Sequence, residues 1–217
     1  MTSDIAWIDP TLLFDFEIPL FYWKTKWATT RKPLPDKYRL PHFAAMHQNE
    51  TIATVWGAWS ESGLYFDLEV PLPEASLNTR DELWHPTVWQ VWIDTRHDPG
   101  NRRGTQNCHF FVFAPQEKAR SPQPLATMRY MHRALALPNA IASEDLATTV
   151  IEMKVGFRML VSIRASALTG FSPSEMRHLG FMYQLSVSNS DSQHLSVSPE
   201  VRFFEDPGHW CRLNLLD

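Results

Sequence analysis

The sequence predicts an all-β protein, an antiparallel β-sandwich of jelly-roll type with long loops and little helix, built as one domain over residues 1–217. Three observations predict it. Apolar residues recur mainly at spacing two, the period of a strand with one buried face. About nine such runs are separated by Gly, Pro, Asn or Asp turn signals, while only short stretches carry a helical period. Nine Trp, 13 Phe and 5 Tyr in 217 residues supply enough bulky apolar material for a sizeable core, which excludes global disorder.

The first strand falls at Leu13 to Leu20, where Phe14, Phe16, Ile18 and Leu20 alternate with Asp15 and Glu17. Thr51 to Trp59 follows, then Gly63 to Val70, where Leu64, Phe66, Leu68 and Val70 alternate with Tyr65, Asp67 and Glu69. Thr87 to Asp94 and Asn107 to Ala114 flank a charged loop. Pro115 to Asn139, with four prolines, reads as a long connection that holds a short helix near Thr127 to Leu135. Glu144 to Val155, Phe157 to Arg164, a turn at Ala165 to Thr169, Leu179 to Val187 and Trp210 to Leu216 complete the set. Phe66, Leu68, Trp89, Val91, Ile93, Val161, Ile163, Phe181 and Leu185 are the predicted core.

Charge and composition exclude several functions. Twenty basic against 24 acidic side chains give a net charge of -4, and no long basic stripe exists to displace counterions from a nucleic acid. No apolar run approaches the roughly 20 residues that a membrane-spanning helix needs. Asp4, Asp9, Asp15 and Glu17 occupy the stretch where a secretory signal has a basic start and an unbroken apolar core, so a soluble cytoplasmic protein is expected. Two cysteines make neither a disulfide framework nor a four-thiolate zinc site. The nucleophile elbow, the zinc-helix motif and the glycine-rich nucleotide loops are all missing from the sequence, so the expectation is a non-enzyme with no catalytic residues.

Metal chemistry has two candidate places. Cys108-His109 and His209-Trp210-Cys211 pair thiols with imidazoles, but consecutive strand residues point to opposite faces, which favours buried apolar cysteines over a zinc site. The loop from Asp94 to Arg103 offers Asp94, Asp98 and Asn101 to a hard cation, yet it also carries Arg96, Arg102 and Arg103. Guanidinium groups repel a cation, so an Asp-Arg lattice, with Asp94 bound to Arg96 or Arg103, is the expected arrangement, and no metal.

The strand from Thr87 to Asp94 is the most informative segment. Trp89, Val91 and Ile93 share one face, and Val88, Gln90, Trp92 and Asp94 the other, with Trp84 and His85 just upstream. An amide beside an indole suits a sugar, which presents apolar C–H faces ringed by hydroxyls. The alternative is that both Trp84 and Trp92 pack against other parts of the protein.

Taken in order, GLYFDLEV, DELWHPTVWQVWID, CHFFVFAP, ALTGFSPSEMRHLGFMYQLSVSN and the closing EDPGHWCRLNLL resemble the family 9 carbohydrate-binding modules and their DOMON-like relatives. The resemblance runs from about Val55 to the C-terminus. The run IDTRHDPGNRRGTQNCHFFVFAP is also similar to a subgroup of such domains that has no established function. The resemblance implies a jelly-roll sandwich, a sugar ring clamped between two Trp, and calcium supporting the loops. It places Trp84 at the first clamp, Gln90 where that family has Glu, and Asn189 in the loop that supplies its Asn. The expected ligand site therefore comprises Trp84, Gln90, Trp92 and Asn189, with His109 or Phe111 from the neighbouring strand. From Asp191 to Val201 the only aromatic ring is the imidazole of His194, so the second clamp has no Trp. The sequence leaves open a weak mono- or oligosaccharide-binding module and the same fold used for a protein partner or another small ligand. A haem reading built on His132 with Met128 or Met131 comes third.

Overall fold

The computed structural model describes residues 13, 15–24, 33–43, 46, 51–71, 87–115, 123–187, 192–197 and 199–217. Eleven strands lie among them: β1 (Glu17–Tyr22), β2 (Thr54–Ser60), β3 (Gly63–Val70), β4 (Val88–Asp94), β5 (Cys108–Ala114), β6 (Leu125–Arg129), β7 (Leu146–Glu152), β8 (Phe157–Arg164), β9 (His178–Ser186), β10 (Ser192–His194) and β11 (Cys211–Leu216). They hydrogen-bond in the order β6-β5-β4-β9-β11-β1-β2-β3-β8-β7, with β10 beside β11 along the same edge of β9. The path folds over on itself into a β-sandwich. Phe66 of β3 stacks on Phe181 of β9 at 5.3 Å and meets Trp89 of β4 edge-on at 5.5 Å, so β2, β3, β8 and β7 face β4, β5, β6 and β9. All nine residues predicted for the core are buried.

Most neighbours are antiparallel, as the short turns demand. The exception is β1, which runs parallel to both β11 and β2. The β2–β3 turn closes on Gly63 at φ +140°, where an added Cβ would come within 2.1 Å of the Ile163 carbonyl; only glycine allows β3 that close to β8.

Two strands were not foreseen. The segment Thr127 to Leu135, read as a helix, contributes instead to β6, which pairs with the free edge of β5 from Phe110↔Arg129 to Ala114↔Leu125. The helix-like spacing of Met128, Met131 and Leu135 lost to the hydrogen-bonding edge that β5 offers. β10 is three residues long, below the length at which alternation is readable. It is held by Gln193, whose amide oxygen accepts the N–H groups of Ile52 and Ala53 while its NH2 donates to the Ala53 carbonyl and Tyr183 hydroxyl. The turn at Ala165–Ala167 is present as a single 3-10 turn.

The outer face of β2, β3 and β8 is covered. Leu34 and Tyr38 pack on Trp56, Ala58 and Tyr65, and Arg158 bonds both Asp67 (2.7 Å) and Glu69 (3.2 Å) while its guanidinium lies over Trp56. The outer face of β4, β5 and β9 instead carries an open groove.

Because β9 pairs with β4 and β10 while β8 pairs with β3, each half of the chain completes the other's sheet. Splitting the chain within residues 116–122 should leave neither half with a cooperative thermal transition. A fragment that melts cooperatively by calorimetry would show instead two independent units.

Candidate ligand-binding site

On the outer face of β4 the period-two rule places Gln90 and Trp92. The register then decides their neighbours: Gln90 lies opposite Val112 of β5 and Gln184 of β9, and Trp92 opposite Phe110 and Met182. Residues opposed in an antiparallel pair point to the same face. Phe110, Val112 and Gln184 therefore join Gln90 and Trp92.

His109 and Phe111, which the sequence had offered to this face, do not belong to it. His109 is opposite Ile93 and Phe111 opposite Val91, both inward, and both side chains are fully buried. His109 Nε2 accepts the Thr169 N–H at 2.8 Å, which leaves the ring proton on Nδ1, 3.4 Å from the Ile93 carbonyl. Burial lowers its pKa to about 4. It is a neutral internal clasp between β5 and the turn after β8. Trp84 and Asn189 lie outside the described residues.

Gln90, Trp92, Phe110 and Gln184 floor a groove of about 320 Å³ whose walls are Tyr130, Met131, His132 and Phe204. Trp92 itself is only 2% exposed. Its indole stacks on Phe110 at 4.8 Å with an interplanar angle of 1° and meets Phe203 edge-on at 5.3 Å. The accessible rings are others: Phe110 is half-buried, Tyr130 is 57% exposed and Phe204 37%. Trp92 thus backs Phe110 from the side and offers little surface of its own.

Two loops build the walls. After β6 the chain turns at Arg133, and Met131 is held against Gly104, where a Cβ would meet its Sδ at 3.1 Å; the Leu135 N–H donates to the Gly104 carbonyl at 2.7 Å. The other loop is pinned by the buried Phe203, whose carbonyl accepts the Trp210 indole N–H at 2.8 Å, and this presents Phe204 to the groove. His132 Nδ1 and Glu205 Oε1 join the two loops at 2.9 Å. His132 is exposed and, among the described residues, is held through Nδ1 alone, while Met131 is buried.

The sequence missed Phe110, Gln184, Tyr130 and Phe204. Gln184 could have been found, since Gly180, Met182 and Gln184 form the non-aromatic parity of their strand. Phe110 needed the register.

The charged loop after β4 differs from the expected lattice. Asp94, 2% exposed, accepts the Arg96 N–H on Oδ1 at 2.9 Å and the Asp98 N–H on Oδ2 at 3.2 Å. Arg103 Nε instead donates to the Arg133 carbonyl at 2.8 Å, and Arg102 pairs with Asp206 at 3.2 Å. The chain turns back immediately after Asp94, so amides two and four residues on reach the carboxylate before any long side chain does. Burial raises its pKa while those bonds oppose the rise. Both cysteines are buried thiols whose pKa burial raises to about 11. Among the described residues no three His, Cys, Asp or Glu side chains converge as metal ligands, and no helix is long and apolar enough to cross a membrane.

No protein-family model and no curated protein matches this sequence. Solved structures do share its fold. A family 9 carbohydrate-binding module from Caldicellulosiruptor kristjanssonii in complex with cellotriose covers 93% of this chain with 94% of its own, at a TM-score of 0.58 and 13% identity. A family 9 module from the same organism in complex with glucose gives 92%, 95%, 0.57 and 13%. The chain has the β-sandwich fold of the family 9 carbohydrate-binding modules.

Three measurements test these assignments. His109 and His97, each with its pKa lowered to about 4, are neutral when folded and titrate near 6.5 when unfolded. The unfolded chain therefore binds more protons between those values, and their contribution to stability is lost as pH falls from about 6.5 to 4, of order 3 kcal/mol for His109. Denaturant melts across that window should show a shallower slope in His109→Gln, whose amide oxygen can still accept the Thr169 N–H. Asp94→Asn should cost about 1–3 kcal/mol, because one N–H then faces an NH2 group. Chelator should not change the wild-type melting temperature; a drop restored by calcium in the wild type and absent in Asp94→Asn would place an ion in this loop.

Proposed function

We propose that this chain is a non-catalytic carbohydrate-binding module that takes a mono- or oligosaccharide in the groove over Gln90, Phe110 and Gln184. The observation that carries the reading is the pairing of accessible rings with two adjacent side-chain amides. Phe110, Tyr130 and Phe204 offer flat apolar surface to the C–H faces of a sugar. The Gln90 and Gln184 amides, opposite one another across β4 and β9, each donate and accept, which suits vicinal hydroxyls. That this fold is shared with modules solved with cellotriose and glucose supports the same reading. Trp84 and Asn189 are proposed to add to the site from the two segments that border it in sequence.

Strength follows from chemistry. Neutral hydrogen bonds and an incomplete aromatic clamp correspond to millimolar to high-micromolar affinity, about -4 to -6 kcal/mol. Exposed apolar side chains favour a second reading: Tyr130 at the groove, with Leu135 and Leu137 further along the same loop, each more than half exposed, would suit a protein partner.

Titrating glucose, cellobiose and xylose while following Trp fluorescence separates the two. Stacked on the groove's floor, Trp92 should report occupancy, and Phe110→Ala should weaken binding at least about tenfold through loss of one stacked ring. No response to any of these sugars up to high millimolar concentration would transfer the groove to the protein-partner reading.

A further inference from the structure

Beside the groove lies a cavity of about 310 Å³ with a different character: Arg102, Arg103, Arg133 and Arg202 line it, together with Glu205 and Asp206. In a chain of net charge -4, four guanidinium groups gathered at one place run against the overall charge. Neither carboxylate is idle. Glu205 binds His132 at 2.9 Å, and Asp206 takes Arg102 at 3.2 Å on one oxygen and the Gly208 N–H at 2.9 Å on the other. Arg133 and Arg202 make no ion pair among the described residues, and Arg103 spends only its Nε, on the Arg133 carbonyl. Among the described residues, the cavity therefore keeps an excess of unneutralised guanidinium donors.

The backbone gives an independent observation. Arg133 and Arg202 sit at φ +58° and +54°, in the left-handed region that residues with a Cβ seldom adopt. Of three such non-glycine residues among those described, these two line the same cavity, and strain kept at the rim of a pocket points to a role for the side chain it aims. Cavity and groove also share a wall. His132 lines the groove, Glu205 lines the cavity, and the two are hydrogen-bonded; Arg133 directly follows His132, and Phe204 directly precedes Glu205.

We infer that the saccharide taken by the groove is an anionic one, whose carboxylate or sulfate is held by the arginines of the adjoining cavity while its ring lies on Phe110. The inference rests on the sugar-binding reading and names its ligand class. Planar guanidinium groups bind a carboxylate or sulfate through paired N–H bonds, a geometry that ammonium groups do not offer.

Calorimetric titration of glucose, glucuronate, glucose 6-sulfate and inorganic sulfate tests it. Glucuronate, glucose 6-sulfate or both should bind at least about tenfold more tightly than glucose, and which of them gains identifies the anionic group. That advantage should shrink as salt is raised. The double variant Arg133→Gly with Arg202→Gly should lose the advantage and keep the glucose affinity. Glycine takes positive φ without strain, so this variant should melt no lower than wild type, and Arg103→Gln supplies a second reduction of charge with the backbone untouched. Glucose binding with no gain for either anionic sugar, or a gain that survives the double variant, overturns the anionic assignment and leaves the sugar reading standing. Inorganic sulfate bound without any sugar response overturns both, and the silent glucose titration tells that case from the first.

Discussion

The stack of Phe66 on Phe181, closed at its edge by Trp89, is the contact on which the rest of the molecule depends. These rings come from β3, β9 and β4, and each is at most 2% exposed. Burying a side chain of this size contributes about 1.5–3 kcal/mol, and three in mutual contact bind strands distant in sequence into one sandwich. Once Trp89 faces inward, the pleat leaves β4 no freedom: Val91 and Ile93 follow it, and Gln90 and Trp92 must lie outside.

The two outer faces have then diverged. On β2, β3 and β8, the segment around Leu34 and Tyr38 seals the surface, and the Leu34 N–H completes the shell of Asp67, whose other oxygen holds Arg158. Burial raises the pKa of Asp67 against the pull of that guanidinium, as for a charge sealed in place. On β4, β5 and β9, the stacked pair Trp92–Phe110 forms a floor, and the two loops that rise over it are joined by the His132–Glu205 bond. One face is finished with apolar packing and an ion pair; the other retains a groove. The arginines gathered beyond the His132–Glu205 pair extend that groove from apolar and neutral to basic within two neighbouring residues of each loop.

His109 shows how far a sequence argument about sites can go. A histidine next to the Trp-bearing strand has the chemistry for a ligand site, and only its position opposite Ile93 reveals that the ring points inward. Its two nitrogens are spent on backbone groups, so it belongs to the core's hydrogen bonding, with no part in the groove. Asp94 teaches the same lesson for charge: the carboxylate was legible as an anchor for the loop, but its partners proved to be nearby amides, because local chain reversal outcompetes a flexible side chain.

By itself the sequence determined what periodicity can encode. Alternation named the strands that alternate, the nine core residues and the outward parity of Gln90 and Trp92, since a half-buried strand must repeat every second residue. Succession of motifs pointed to the fold shared with family 9 modules. Only the tertiary structure decided which strands neighbour one another, and with that the make-up of the groove: Phe110 and Gln184 enter through register, Tyr130 and Phe204 through loops anchored on Gly104 and Trp210, and β6 through an open edge that overrode a helical pattern. Register and loop anchoring are properties of pairs of segments far apart in the chain, and no local pattern of residues contains them.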